Sequence, residues 1–237
     1  MLSDSVSIML NGILGVDACK TGWVGVVLER GEASAYFGPT IAELISIAEA
    51  TRALAVVAID IPIGLADAGR RQADVKAREA VGPRRSSVFM TPVRAAIQAD
   101  DHVTAVRLSR QLTGDGISIQ AFSLRTKILE VDAWVRKETR RVVEVHPEVS
   151  FARMARAPLR DSKATWAGVE RRRELLAAEG IRLVGDLGHA GRVAGVDDVL
   201  DAAAAAWSAR RVASGEAVSL PSPPETYSDG WPCAIWA

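Results

Sequence analysis

The stretch "LAVVAIDI", residues 54–61, is apolar almost without a break and is stopped by Pro62. A strand without polar alternation is covered on both faces, the mark of a parallel strand inside an α/β sheet. Its one charge, Asp60, stands at the carboxyl end, where open α/β sheets carry their ligands. Upstream, residues 13–19 (ILGVDAC) and 23–29 (WVGVVLE) flank the turn Lys20-Thr21-Gly22 and predict a β-hairpin. Residues 33–37 (ASAYF) add a third strand. Pro39-Thr40 then opens a helix to about Thr51, with Ile41, Leu44, Ile45 and Ala48 on one side.

Between Pro62 and Arg140 no strong strand is visible, and the stretches 71–80, 99–112 and 118–138 have helical patterning. Residues 141–146 (RVVEVH) predict a fifth strand, stopped by Pro147. Helices at about 162–178 and 196–212 follow, separated by the Gly-rich loop "GDLGHAGRVAG". A Pro/Ser-rich tail runs to Ala237. A three-strand meander, then a crossover to a parallel strand, is the ribonuclease H-like order. The expected fold is one α/β domain over residues 1–237. It has a five-stranded mixed sheet flanked by helices and a long helical insertion, about 63–140, between strands four and five.

Of the 237 residues, 49% are hydrophobic, enough for a full core, and the formal net charge is +0, which gives no bulk attraction to nucleic acid or membrane. The distribution is uneven. Seven basic residues fall between Arg70 and Arg94 and seven between Arg153 and Arg173, while the last fifth is acidic. Basic patches beside a carboxylate cluster suit an anionic substrate that meets a metal. Two cysteines, Cys19 and Cys233, are too few for a disulfide framework and predict a reduced, cytoplasmic protein. No apolar run is long enough for a membrane span, and "MLSDSVSIMLNG" lacks the positive start of a signal peptide. Trp23, Trp134, Trp166 and Trp207 read as core residues, leaving no aromatic row on which bases would stack.

The acids carry the chemistry. Asp17 shares a strand face with Ile13, Gly15 and Cys19, and an isolated buried carboxylate takes up a proton or finds a partner. In this topology the strands of Asp17 and Asp60 are neighbours, so the two carboxylates converge. In "VDDVLDAAAAAWSA", Asp198 and Asp201 share one helix face. The helix dipole accounts for an acid in the first turn but not for Asp201. The candidate partner is a divalent cation, and the competing one is an arginine. Oxygen donors without a His or Cys set favour Mg²⁺ or Mn²⁺, and a pair of such ions hydrolyses phosphodiesters. Glu144 and His146 alternate along the fifth strand and share a face. Glu144 is the weaker ligand candidate, and His146 orients a ligand, holds a water or caps the next helix.

"GVDACKTGWVGVVL", "AIDIPIGL", "GRRQADVKAREAVGPRRSSVFMTPVRAA", "GISIQAFSLRTKILEVD", "VVEVHPEVSF" and "GVDDVLDAAAAAWSAR" together resemble the DUF429 family, whose members are described as predicted ribonuclease H-like nucleases. The resemblance implies an acidic site of Asp17, Asp60, Glu144 and the Asp198-Asp201 pair, the last similar to the D-x-x-D of RuvC-type resolvases. In "GPRRSSVF" it places Arg84, Arg85, Ser86 and Ser87 in a phosphate-binding loop, with Lys127 and Lys163 as further phosphate contacts. Where the family pattern has two adjacent lysines, this chain has Ser162-Lys163. The expected function is metal-dependent phosphodiester hydrolysis on a nucleic acid or a small phosphoester. The alternatives are a nucleotide binder of the actin/sugar-kinase type, for which "GDLGHAG" would cradle phosphate, and a non-catalytic regulatory protein on the same fold.

Overall fold

The computed structural model describes residues 12–50 and 52–237. Residues 1–11, where no signal peptide is expected, and Thr51, the expected end of the first helix, lie outside them. The meander is β1 (Gly12–Cys19), β2 (Gly22–Glu29) and β3 (Glu32–Gly38). Helix α1 (Ile41–Glu49) starts at Thr40, whose hydroxyl accepts from the Glu43 N–H at 3.2 Å. Strand β4 (Leu54–Ile59) then pairs parallel to β1. The stretch before β5 (Arg141–Glu144) is helical: α2 (Gln72–Val81), a 3₁₀ turn (Gly82–Ser87), α3 (Arg94–Ile97), α4 (His102–Thr113), α5 (Ile119–Ser123) and α6 (Arg125–Val135). After β5 come α7 (Pro147–Ala155), α8 (Trp166–Ala178), α9 (Gly188–Val193) and α10 (Val196–Ser214), then β6 (Ser219–Thr226) and β7 (Pro232–Trp236).

The strands form one mixed sheet in the order β3-β2-β1-β4-β5-β7-β6, so the expected five strands are seven. The two extra strands come from the tail. Three prolines in "SLPSPPET" hide β6, which tolerates them because it lies at the sheet edge. Helix α7 also escaped the pattern, since Pro147 reads as a strand stop yet equally sets the first residue of a helix. Among the described residues no helix is long and apolar enough to cross a membrane. Trp23 and Trp207 are buried as expected, whereas Trp166, opening α8, is 77% exposed.

Alternation along the strands sends side chains to two faces. Leu14, Val16, Val57 and Ile59 pack with Ile41 and Leu44 of α1 and Ile128 and Val131 of α6. Ile13, Val56, Ala58, Val143 and Val145 meet Ala205 and Ala209 of α10. That helix lies almost on the backbone of β1. A Cβ on Gly15 would stand 1.9 Å from the Ala206 nitrogen and 2.3 Å from the Ala202 oxygen. The alanine run and the strand glycine are thus two halves of one close contact.

Register decides where the acids point. Val16 pairs with Ile59 and Ile59 with Glu144, so these three share the α1–α6 face. Asp17 and Asp60 are one residue further along and face the α10 side. The ladder reaches that far, because the Asp60 N–H donates to the Val16 carbonyl at 2.9 Å.

An acidic cleft at the carboxyl edge of the parallel strands

Where β1, β4 and β5 end, a cleft of about 200 Å³ opens, lined by Asp17, Asp60, Glu144, His146, Lys163 and Asp198, with Ser87, Asp74 and Thr91 on the insertion side. Asp17 comes from β1, Asp60 from the residue after β4, and Asp198 and Asp201 from the start of α10. Asp17 is 7% exposed, and its Oδ1 accepts the Ala18 N–H at 2.7 Å. Among the described residues no hydrogen-bond donor meets the Asp60 carboxylate. Asp198 does what a first-turn acid does, accepting the Gly195 N–H at 3.0 Å. Asp201 is buried and paired: its Oδ2 lies 2.6 Å from Lys163 Nζ, which also stands 3.3 Å from Asp197. The competing reading of Asp201 expected an arginine. The structure supplies a lysine.

The electrostatics follow from burial. Desolvation, with the charges of Asp60 and Asp201 nearby, holds the Asp17 carboxyl well above its usual range. Desolvation likewise pushes Asp60 and Asp201 up to about 7, against the pull of Lys163. Burial works against the Lys163 ammonium, yet the Asp201 carboxylate beside it holds its pKa above the ordinary lysine value. The three acids titrate as a group. The cleft is short of positive charge.

A consequence is testable. A carboxyl that keeps its proton in the fold up to about 7, but loses it near 3.8 when unfolded, stabilises the fold at low pH. That contribution vanishes as pH rises through 7. Glu144, pushed up to about 7 by burial in spite of the opposing pull of the Arg71 guanidinium, acts in the same sense. His146, held below its usual range chiefly by burial, acts in the opposite one. Urea unfolding in EDTA is expected to show clearly lower stability at pH 7.5 than at pH 5. A flat or rising profile would contradict the charge shortage.

Glu144 stands apart from the aspartates for the register reason given above. Its Oε2 accepts the Ile63 N–H at 2.7 Å and a bond from Arg71 Nη2. Arg71 has no solvent exposure. It also donates to Thr91 Oγ1 at 2.8 Å and to Cys233 Sγ at 3.0 Å, with Asp74 3.5 Å away. This buried network ties α2, β5 and β7 together under the cleft. A second buried pair, Arg172 Nη2 with Glu148 Oε1 at 2.6 Å, joins α8 to α7. Neither arginine was legible as a buried residue. Both sit in the segments read as basic patches for an anionic substrate, and the two segments are accordingly not continuous basic patches.

The phosphate-loop residues divide. Ser87 lines the cleft, its hydroxyl donating to the Arg84 carbonyl at 2.8 Å. Arg84 reaches Glu148 at 3.9 Å, while Arg85 lines a separate surface groove with Arg70 and Arg78, and Ser86 is exposed. Lys127 is not at the cleft: its Nζ donates to the Gly22 carbonyl at 3.0 Å and sits 4.4 Å over the Trp23 ring, bracing the β1–β2 turn. His146 is at the cleft, and its buried Nδ1 meets no hydrogen-bond partner among the described residues. The stretch "GDLGHAG" runs from a turn into α9, no strand precedes it directly, and His189 stacks edge-on against Phe37 of β3 at 5.2 Å. It does not line the cleft.

Among the described residues no three His, Cys, Asp or Glu side chains gather closely enough to enclose a metal by themselves. Every donor at hand among the aspartates is a carboxylate oxygen. Sheet and cleft together define an α/β protein with an acidic pocket at the carboxyl edge of its parallel strands. Residues 15–226 match the model of a family described as a protein of unknown function, DUF429, and the chain belongs to that family. No curated protein and no solved structure matches it.

Proposed function

We propose that this protein is a divalent-cation-dependent phosphodiester hydrolase, a nuclease or phosphodiesterase, built on a ribonuclease H-like sheet. The strand order β3-β2-β1-β4-β5 supports that core, with β7 and β6 as an added edge. One observation carries the activity: Asp17 and Asp60 converge at the carboxyl edge in surroundings that disfavour their charge. Two carboxylates without a cationic partner of their own at the cleft, among the described residues, fit Mg²⁺ or Mn²⁺, which keep several waters and accept one or two protein carboxylates. They suit zinc less, because its sites are built mainly on His nitrogen and Cys sulfur. When bound, the ion supplies Lewis acidity at the phosphoryl group and lowers the pKa of a coordinated water.

The chain's own part is to position. Asp17 and Asp60 would hold the cation from neighbouring strands, and Asp198 lines the same cleft from α10. The Ser87 hydroxyl on the opposite wall can turn from the Arg84 carbonyl to donate to a phosphate oxygen. The helical stretch between β4 and β5 forms that wall and sets which phosphodiesters enter.

Asp60→Asn tests this, because a side chain without hydrogen-bond partners is replaced with little structural cost. Mn²⁺-dependent cleavage of a panel (bis-p-nitrophenyl phosphate, single-stranded and duplex DNA, RNA, a four-way junction) is expected to fall at least ~100-fold, about 2.7 kcal/mol, with the circular dichroism spectrum unchanged. The Lys163–Asp201 pair favours a second reading, a non-catalytic protein whose acids are neutralised internally. The same panel decides. That reading expects no cleavage by the unsubstituted protein at any Mn²⁺ concentration.

A further inference from the structure

We propose that the Lys163 ammonium occupies the place of a second cation, so that this cleft takes one divalent ion and a fixed lysine charge instead of two ions. The inference rests on the cation-dependent reading above and refines it.

Two observations converge. Lys163 Nζ is within hydrogen-bond distance of Asp201 Oδ2 and 3.3 Å from Asp197, so the helix acid that a second ion would share already holds an ammonium. A dication and an ammonium do not both settle within about 3 Å of one carboxylate oxygen, since like charges at that distance repel by several kcal/mol even at an effective dielectric near 20. Lys163 is also not a loose surface residue. Its loop is fixed on both sides: Arg172 Nη1 donates to the carbonyls of Asp161 at 3.3 Å and Gly168 at 2.9 Å, and Thr165 Oγ1 donates to the Ser162 carbonyl at 2.8 Å. That carbonyl is pressed so close to Gly168 that a Cβ there would stand 1.9 Å from it. The buried Arg172–Glu148 pair anchors the arrangement to α7.

An ammonium carries three N–H donors. Asp201 takes one as a hydrogen bond and Asp197 is an ion-pair partner at 3.3 Å, which leaves a donor for a phosphate oxygen. Lys163 is thus a positioning charge that orients the helix acids and presents a donor to the substrate. A metal ion in its place would hold several ligands, where lysine is a compact point charge.

The test counts ions. Mn²⁺ titration followed by electron paramagnetic resonance, with calorimetry alongside, is expected to give one equivalent for the unsubstituted protein and two for Lys163→Met, the freed Asp201 and Asp197 accepting the second. Asp201→Asn serves if Lys163→Met does not fold. It is expected to keep one equivalent with affinity within about threefold, whereas a shared two-ion site would lose one equivalent or weaken about tenfold or more. Two equivalents in the unsubstituted protein, or one in Lys163→Met, overturn the lysine proposal and leave cation dependence standing. No binding at all overturns both.

Discussion

Replacing Gly15 by alanine is expected to cost roughly 4 kcal/mol or more of stability, enough to leave little folded protein. The added Cβ meets no flexible side-chain end. It meets the Ala206 nitrogen at 1.9 Å and the Ala202 oxygen at 2.3 Å, both backbone of α10. Relief requires the helix to lift from β1 along its length, which also parts Ala205 and Ala209 from Ile13, Val56 and Ala58. Gly25→Ala is the control. Its Cβ meets Leu14 Cδ1 at 2.9 Å and the methyls of Leu44 beyond 3 Å, so side chains can shift and a cost of about 1–2 kcal/mol is expected. Urea midpoints of the two variants measure the contrast. Similar small costs would mean that α10 does not lie as close to the strand as described.

Arg71→Ala is the second large effect, about 3–5 kcal/mol. The substitution leaves Glu144 and Asp74 buried without their guanidinium, and Thr91 and Cys233 without a donor. The loss belongs mostly to the stranded acids, so removing one of them as well is expected to recover stability. Arg71→Met with Glu144→Met should cost clearly less than the sum of the single substitutions, a coupling of at least ~1 kcal/mol. Additive costs would show that the pair is incidental. The same variants bear on function, because Glu144 lies in the floor of the cleft but on the other sheet face from Asp17 and Asp60.

What the sequence revealed and what it hid have physical reasons. Unbroken apolar runs and turn residues gave the meander, the parallel strand and the helix on top of it, since local propensity and burial agree there. The convergence of Asp17, Asp60 and Asp201 followed from topology alone. Glu144 was placed with them by the family resemblance. Only the register, one residue out of step, shows that it faces Arg71 instead. The tail strands were hidden by prolines that a sheet edge tolerates. Arg71 and Arg172 were hidden because a buried arginine and a solvated one look alike in a run of charges. Lys163 was read as a phosphate contact, and nothing local in "DSKAT" indicates that its partner is an acid 38 residues ahead.

The most direct measurement of the central claim is an anomalous difference map from a crystal soaked in MnCl₂. A single strong peak between the Asp17 and Asp60 carboxylates, with Lys163 still on Asp201, is the predicted result. An empty cleft at millimolar Mn²⁺, with both aspartates turned to protein partners, would contradict it.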